Sequence, residues 1–255
     1  MLLKDMKWPE VKAAVERGAP VIVVVGSTEQ HGPHLPLSVD VDIPMYIASK
    51  AAERVGALVA PPVTYGYNEK ELEFPGTVSL KTETLMAVLY DICDSLARGG
   101  FRYVVLLNGH GYNTFIVPQV AHKVAEKLPI LCAAITYWDL VLDVAKKVRD
   151  SGRGGMAHAC EFETSAMLYV DPTRVDMSLA VDEFPRVDGK HVWLELIERS
   201  PITMRPHWDK LTTSGVCGRP TLASAEKGRA IVEAAVDRLA AFVESFSKDF
   251  EHFRT

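Results

Sequence analysis

The sequence predicts an α/β fold, a three-layer α/β/α sandwich around a mainly parallel sheet. Two observations support this prediction. The segments 21–25 (VIVVV) and 103–107 (YVVLL) are apolar without alternation, which is typical of strands buried on both faces of a parallel sheet. Segments with apolar residues at helical spacing lie between the strands, and this alternation of strand and helix indicates helices on both faces of the sheet.

Two further strands complete the predicted sheet. One is the short apolar segment ALVAPPV, and the other is the longer run ILCAAITYW. The predicted strands are therefore 21–25, 57–63, 103–107 and 130–138.

Five segments have apolar residues at the spacing of an amphipathic helix. In the first, Ile43, Ile47, Ala51 and Val55 form the apolar stripe, and Gly56 ends the helix. Two glycines end the second in the same way, and a proline interrupts the third near its start. The predicted helices are 43–56, 84–100, 114–128, 161–170 and 224–246.

The segment 176–222 is the least regular part of the sequence. Long irregular loops in a compact chain are usually functional. We therefore expect its residues Trp193, Pro206 and Trp208 to form contacts between subunits or a lid over a neighbouring site.

Composition and charge exclude several classes of protein. The 255 residues are 48% hydrophobic and 24% charged, which is ordinary for a globular protein, and we expect a single domain over residues 1–255. A net charge of −5 offers no basic surface for nucleic acid. No apolar run approaches the roughly 20 residues needed to span a bilayer, and no signal peptide is recognisable. We expect no membrane partner and a cytoplasmic location.

Polar side chains follow three predicted strands at the point where each strand ends. Glu29, His31 and Asp40 follow the first strand, His110 follows the third in NGHGYN, and Trp138 ends the fourth in TYWD. Ligands of open α/β sheets bind outside the carboxyl ends of the strands. We therefore expect these segments to converge on one crevice.

Carboxylates mixed with imidazoles suit zinc, manganese or iron(II), whereas magnesium and calcium prefer oxygen ligands alone. Asp40 could bridge two cations through its two oxygens, and such paired ions activate water and polarise carbonyls. Structural alternatives remain open at this point, because His110 could form a turn, Glu163 could cap its helix and Trp138 could belong to the core.

These motifs, together with FPGTVSL at 74–80, HACEFETSAML at 158–168 and SGVCGRPTLASAEKG at 214–228, resemble in this order the creatininase (creatinine amidohydrolase) family. The resemblance covers nearly the whole chain, and the pairing of EQHG…D with NGHG is highly specific. It implies a Rossmann-like creatininase fold, two divalent metal ions per subunit (zinc or manganese, with iron possible) and hydrolysis of C–N bonds, often in cyclic amides. It also implies a small-molecule substrate and a homohexamer built as a trimer of dimers.

The resemblance also implies roles for individual residues. Glu29 and His110 would hold one metal ion, His31 would hold the other, and Asp40 would bridge them. His158 lies where the family has its catalytic acid and base.

The sequence departs from creatininase proper at two places. That enzyme has a Tyr-Glu pair after the NGH histidine, and the Glu is a ligand of the second metal, whereas this chain has Gly111 and Tyr112. We expect Glu161 to supply the missing carboxylate, because it lies three residues after His158 at a predicted helix start, where one turn would bring the two side chains to the same face. The substrate-closing tryptophan four residues before the catalytic histidine is replaced by Gly154, so creatinine is not the expected substrate.

The expected mechanism is hydrolytic. The two ions would share a hydroxide that attacks the amide carbonyl, and His158 would pass a proton to the leaving nitrogen. Glu163 would orient His158 or a metal ligand, while Trp138 and Tyr112 would contact the substrate. The alternatives are the opening of a sugar-derived cyclic ketone, cleavage of a terminal peptide bond at the same centre, and a metal-binding scaffold without activity.

Overall fold

A four-stranded parallel sheet forms the centre of the computed structural model, which describes residues 1–187, 189–204, 206–250 and 252. Its strands are β1 Val21–Val25, β2 Leu58–Val59, β3 Tyr103–Asn108 and β4 Leu131–Thr136, in the spatial order β2-β1-β3-β4. The last residues of β1, β3 and β4 lie side by side, because Val25 pairs with Asn108 and Asn108 pairs with Thr136. The carboxyl ends of three strands therefore meet at one edge.

Helices cover both faces of the sheet. They are α1 Trp8–Glu16, α2 Val39–Val55, α3 Thr82–Arg98, α4 Val117–Lys127, α5 Leu142–Val148, α6 Glu161–Val170, α7 Trp208–Leu211 and α8 Ala225–Asp249. Ile22 and Val24 of β1 face a core shared with α2, α5, α6 and α8, whereas Val21 and Val23 face a core shared with α1, α3 and α4. The predicted three-layer α/β/α sandwich is confirmed. None of the helices in the described ranges is long and apolar enough to cross a membrane.

A second sheet consists of two antiparallel strands. It pairs β5, Met156–His158, with β6, Cys217–Gly218. The irregular segment predicted at 176–222 thus contributes β6 and the short helix α7, and positions 188 and 205 of this segment lie outside the described residues.

Several predicted boundaries differ from the structure for physical reasons. Helix α2 begins at Val39 rather than at Ile43. The sequence analysis missed this first turn because it is acidic and shows no apolar periodicity. Acidic residues are favoured there by the helix dipole. Strand β2 ends at Val59, before two prolines that cannot donate a backbone hydrogen bond. The prediction missed α1, α5, α7, β5 and β6.

Two glycines let the first turn of α2 pack against the strand ends. A Cβ atom on Gly26 would lie 2.5 Å from the carbonyl oxygen of Asp40, and one on Gly109 would overlap the same oxygen and lie 2.6 Å from Cγ of Pro44. Gly26 follows β1 directly and Gly109 follows β3 directly. The backbone of Asp40 is therefore held between the ends of the two central strands.

We expect Gly109→Ala to destabilise the protein by about 1–3 kcal/mol, because the added methyl group overpacks the contact with Asp40. Gly111→Ala is the matched control, since no atom lies within 4 Å of its added Cβ. Chemical denaturation of both variants measures the difference. Equal unfolding free energies for the two variants would contradict this account of the packing.

Candidate metal centre

The carboxyl edge of the sheet carries a buried cluster of carboxylates and imidazoles. The predicted residues Glu29, His31, Asp40 and His110 are all at most 4% exposed and lie in direct contact with one another. The crevice expected from the strand ends is therefore present, and it contains the residues that the sequence placed there.

Asp40 lies at the centre of this cluster. Its Oδ1 is 3.3 Å from Nε2 of His31, and its Oδ2 is 2.8 Å from Nδ1 of His110. The two oxygens of one carboxylate thus face two different imidazoles. The carboxylate therefore links the two imidazoles of the cluster.

Backbone carbonyl groups orient both imidazoles toward Asp40. Nδ1 of His31 donates to the carbonyl oxygen of Glu29 at 3.1 Å, and Nε2 of His110 donates to that of Tyr67 at 3.0 Å. A carbonyl oxygen can only accept, so these contacts fix the tautomers and turn the other nitrogen lone pairs into the cluster. Those nitrogens are Nε2 of His31 and Nδ1 of His110.

The buried side chains form three groups that could hold a metal ion. Each group brings its ligand atoms within 4.8 Å of one another. The first is Glu29, Asp40 and His110, the second is His31, His158 and Glu163, and the third is Glu29, Glu71 and His158.

Charges in the cluster shift the pKa values of the imidazoles. Burial by itself lowers the pKa of His31, but the Asp40 carboxylate outweighs it and raises the pKa to about 10. Burial likewise opposes protonation of His110, and the Glu29 and Asp40 carboxylates raise its pKa well above the ordinary value. The carboxylates therefore stabilise positive charge on both imidazoles.

His158 differs from the other two imidazoles. Burial, with repulsion from His31, lowers its pKa to about 4. Its Nε2 donates to the carbonyl oxygen of Gln30 at 2.8 Å, and its Nδ1 lies 3.4 Å from Oε1 of Glu29. The ring packs against Trp208 with 5.0 Å between centroids. His158 is therefore held in one orientation with Nδ1 facing the cluster.

The structure does not bring Glu161 to the cluster, and the prediction that Glu161 is a metal ligand is wrong. Its oxygens accept hydrogen bonds from the backbone N–H of Asp150 at 2.9 Å, the N–H of Ser151 at 3.0 Å and Nζ of Lys227 at 2.6 Å. These contacts occupy both oxygens in a structural ion pair beneath α8.

Glu163 lies in the cluster instead, although the sequence analysis expected it only to orient His158 or a metal ligand. Its Oε1 is 3.9 Å from Nε2 of His31, and Cys160 donates its thiol hydrogen to Oε2 at 3.6 Å. Burial raises the pKa of Glu163 to about 7. The physical reason for the error is that His158 ends β5 and Ala159 has a positive φ of 48°, so His158 and Glu161 do not share a helix face.

The two aromatic residues expected to contact the substrate lie in different places. Tyr112 lines the cavity over the cluster, and its ring lies 5.7 Å from that of His110. Trp138 does not line this cavity but an adjoining one, which shares Gly111 and Leu196 with it.

Three residues of the site escaped the sequence analysis. Gln30 lies inside the EQHG motif but was not considered, and it holds His158 through its carbonyl oxygen. Trp208 was expected to cover a neighbouring subunit or form a contact between subunits, yet it packs on His158 of its own chain. Glu71 lies in an irregular loop where neither periodicity nor a neighbouring motif indicates a functional side chain.

The structure is thus a parallel α/β/α sandwich with a candidate metal centre of buried carboxylates and imidazoles at its carboxyl edge. The family model "Creatininase: Creatinine amidohydrolase" matches residues 4–243. The creatinine amidohydrolase of Pseudomonas putida is 32% identical over 252 residues, which cover 92% of this chain and 93% of that enzyme. The 3-dehydro-scyllo-inosose hydrolase of Thermotoga maritima is 30% identical over 266 residues, covering 97% and 84%.

Solved structures agree with the sequence relatives. A structure described as "Creatininase Mn" has a TM-score of 0.80 at 31% identity and covers 100% of this chain and 99% of that chain. A creatininase mutant described as the Zn-Zn type has a TM-score of 0.81 at 31% identity, with coverage of 100% and 98%. The chain belongs to the creatininase family, and the prediction of a metal-dependent amidohydrolase is confirmed.

We expect Glu161→Gln to lower the free energy of unfolding by roughly 2 kcal/mol, because it weakens charge-assisted hydrogen bonds at a buried position. Metal content should stay unchanged. Glu244→Gln is the control, since it removes the carboxylate of an exposed Glu–Lys pair on α8 whose partner is Lys248. Denaturation and elemental analysis decide the point, and loss of metal from the Glu161 variant would restore the ligand role.

Proposed function

We propose that the chain is a dinuclear metal hydrolase that cleaves C–N bonds in small amides, including cyclic amides. The observation that carries this proposal is the position of Asp40, whose two oxygens face the imidazoles of two different ligand groups. A mononuclear site has no need of a buried carboxylate shared in this way.

The proposed ligands divide into two sets that share Asp40. Glu29, Asp40 and His110 would hold one ion, and His31, Asp40 and Glu163 would hold the other. Each ion then has three protein ligands, the number usual for a catalytic zinc site. The mixture of carboxylate and imidazole suits zinc or manganese, which is consistent with the relatives described in Zn-Zn and Mn forms.

The residues present fit two divalent ions. Nε2 of His31 is buried, makes no hydrogen bond and faces Asp40. Buried polar atoms are almost always paired, so an unpaired nitrogen beside a carboxylate points to a missing cationic partner. Bound ions would polarise the carbonyl of the substrate and lower the pKa of a water molecule to about 7.

The proposed proton carrier is His158, through its Nδ1 atom. Its Nε2–H is held by the carbonyl oxygen of Gln30, which leaves Nδ1 as the atom that faces Glu29 and the cavity. A neutral imidazole can accept the proton released by water at Nδ1 and pass it to the leaving nitrogen. Trp208 restricts the ring to this orientation by packing on its face.

The cavity over the cluster accommodates only a small substrate. Its volume is about 60 Å³, and Tyr112, Leu194, Leu196 and Trp208 form its less polar walls. The adjoining cavity of about 250 Å³, which Trp138 and Trp193 line, offers a route for a larger group of the substrate. A compact amide group bound at the cluster with a substituent in the adjoining cavity fits this arrangement.

A second candidate function is the hydrolytic opening of a sugar-derived cyclic ketone. The relative named 3-dehydro-scyllo-inosose hydrolase favours it, because that protein covers 97% of this chain at 30% identity. The same ligand sets would serve either reaction, so the walls of the cavity decide between them. Cleavage of a terminal peptide bond stays an alternative prediction.

We also propose that the chain acts as a single domain in a cytoplasmic homohexamer arranged as a trimer of dimers. Support for assembly comes from large apolar side chains exposed on one short segment. Leu179, Val181 and Phe184 are 48%, 42% and 51% exposed. Exposed apolar surface of this kind commonly marks a protein interface.

Replacing the bridging carboxylate should remove both ions. We expect Asp40→Asn to reduce metal content from two equivalents to less than one, because an amide oxygen binds divalent ions far less well than a carboxylate does. Asp42→Asn in the same helix is the control, since Asp42 pairs with Arg174 outside the cluster. Elemental analysis after dialysis measures the content, and two retained equivalents in the Asp40 variant would exclude the bridging role.

His158→Gln should retain both ions and lower kcat by about 100- to 10,000-fold on any amide that the wild type hydrolyses. A panel of cyclic amides, N-formyl compounds and cyclic ketones, with manganese or zinc added, identifies the substrate class. His122→Gln, at an exposed position of α4, should keep full activity. Turnover of a ketone but of no amide by the wild type would favour the second candidate function.

A further inference from the structure

Glu71 is a buried carboxylate to which neither the family resemblance nor the ligand sets above assign a role. It is 1% exposed, and both of its oxygens lack a hydrogen-bond partner. Its backbone is fixed, because its N–H donates to Asn68 at 2.9 Å and its carbonyl oxygen accepts from Phe74 at 3.1 Å. The loop therefore holds this side chain in the interior.

The Glu71 side chain points into the metal centre. Its ligand oxygen lies within 4.8 Å of a ligand atom of Glu29 and of His158. It lines the same cavity as Asp40 and His110. Glu71 thus reaches the Glu29 side of the cluster from a different loop than the four residues that follow the strands.

Burial of Glu71 in its ionised form is unfavourable unless a cation lies beside it, and without one burial and the Glu29 carboxylate raise its pKa well above the ordinary value. A buried carboxylate without hydrogen-bond donors costs several kcal/mol. The neighbouring carboxylate of Glu29 adds repulsion. The imidazole that shares a ligand group with Glu71 is that of His158, and its Nε2–H is already bonded to Gln30. A divalent ion between Glu29 and Glu71 removes the desolvation cost and the repulsion together.

We propose that Glu71 is a further ligand of the ion held by Glu29, Asp40 and His110. This inference rests on the proposed dinuclear function and adds one ligand to one of its two sites. In the proposed sets Glu163 supplies the carboxylate that Tyr112 cannot give to the ion of His31, and Glu71 adds a ligand to the other ion only.

The added ligand also gives the two sites different preferences for manganese and zinc. Three carboxylates and one imidazole would surround the ion beside Glu71, whereas the other ion would have two carboxylates and one imidazole. Oxygen-rich sites suit manganese, and imidazole-richer sites suit zinc. Manganese is therefore the ion that Glu71 should favour.

The experiment compares Glu71→Gln with Glu69→Gln, an exposed glutamate of the same loop. Manganese and zinc affinities of each metal-stripped protein are measured by competition with a chelator, and bound ions are counted after dialysis. We expect Glu71→Gln to weaken manganese binding at one of two sites by roughly tenfold or more, with a smaller effect on zinc. Glu69→Gln should match the wild type.

Thermal unfolding provides a readout independent of activity. Added manganese should raise the unfolding temperature of Glu71→Gln less than that of the wild type, because stabilisation by a ligand follows its affinity. The metal-stripped Glu71→Gln form should unfold at or above the temperature of the metal-stripped wild type, because the amide removes an uncompensated buried charge. If Glu71→Gln does not fold, Glu71→Asp decides, since it keeps the charge but withdraws it by one methylene: weaker manganese binding supports the proposal, and unchanged binding overturns it.

Two results would overturn the proposal while leaving the dinuclear function intact. One is that Glu71→Gln binds two ions with wild-type affinities. The other is that its metal content is unchanged but its KM rises, which would make Glu71 a substrate contact. Failure of the dinuclear function itself gives a different result, namely that Asp40→Asn keeps its metal.

Discussion

The packing of the first turn of α2 against the ends of β1 and β3 determines the rest of the site. Gly26 and Gly109 have no side chains, so the backbone of Asp40 can lie between the two strand ends. From there its carboxylate reaches His31 on the β1 side and His110 on the β3 side. An aspartate in a helical first turn is also favoured by the helix dipole. Asp40 therefore owes its position to the packing of the fold and also supplies the central carboxylate of the site.

The same packing concentrates negative charge in the interior. Glu29, Asp40, Glu71 and Glu163 are each at most 5% exposed. Imidazoles partly compensate by holding protons, and this is why the pKa of His31 rises to about 10. Protons on imidazoles are a substitute for divalent ions, because a metal ion needs the lone pairs that those protons occupy. Proton release on metal binding follows directly from this exchange.

Residues that follow directly from strands could be predicted from the sequence, and residues positioned by loops could not. Glu29, His31 and His110 lie within a few residues of buried strands whose register is set by apolar patterning. Glu161 and Glu163 were confused because a helical spacing was applied across Ala159, where a positive φ turns the chain between β5 and α6. No local pattern distinguishes Glu71 from an exposed loop glutamate, since its burial depends on packing between distant segments.

The residues at the strand ends and the residues in loops also have different roles. The former provide the proposed catalytic centre, and the latter select the substrate. The sheet fixes the proposed bridging and imidazole ligands, which any hydrolysis at this centre requires. The cavity walls come from loops and short elements, with Tyr112 after β3, Leu194 and Leu196 in the irregular segment, and Trp208 in α7. Loops tolerate substitution better than the strands they connect. Family members can therefore keep one metal centre and change the group they cleave.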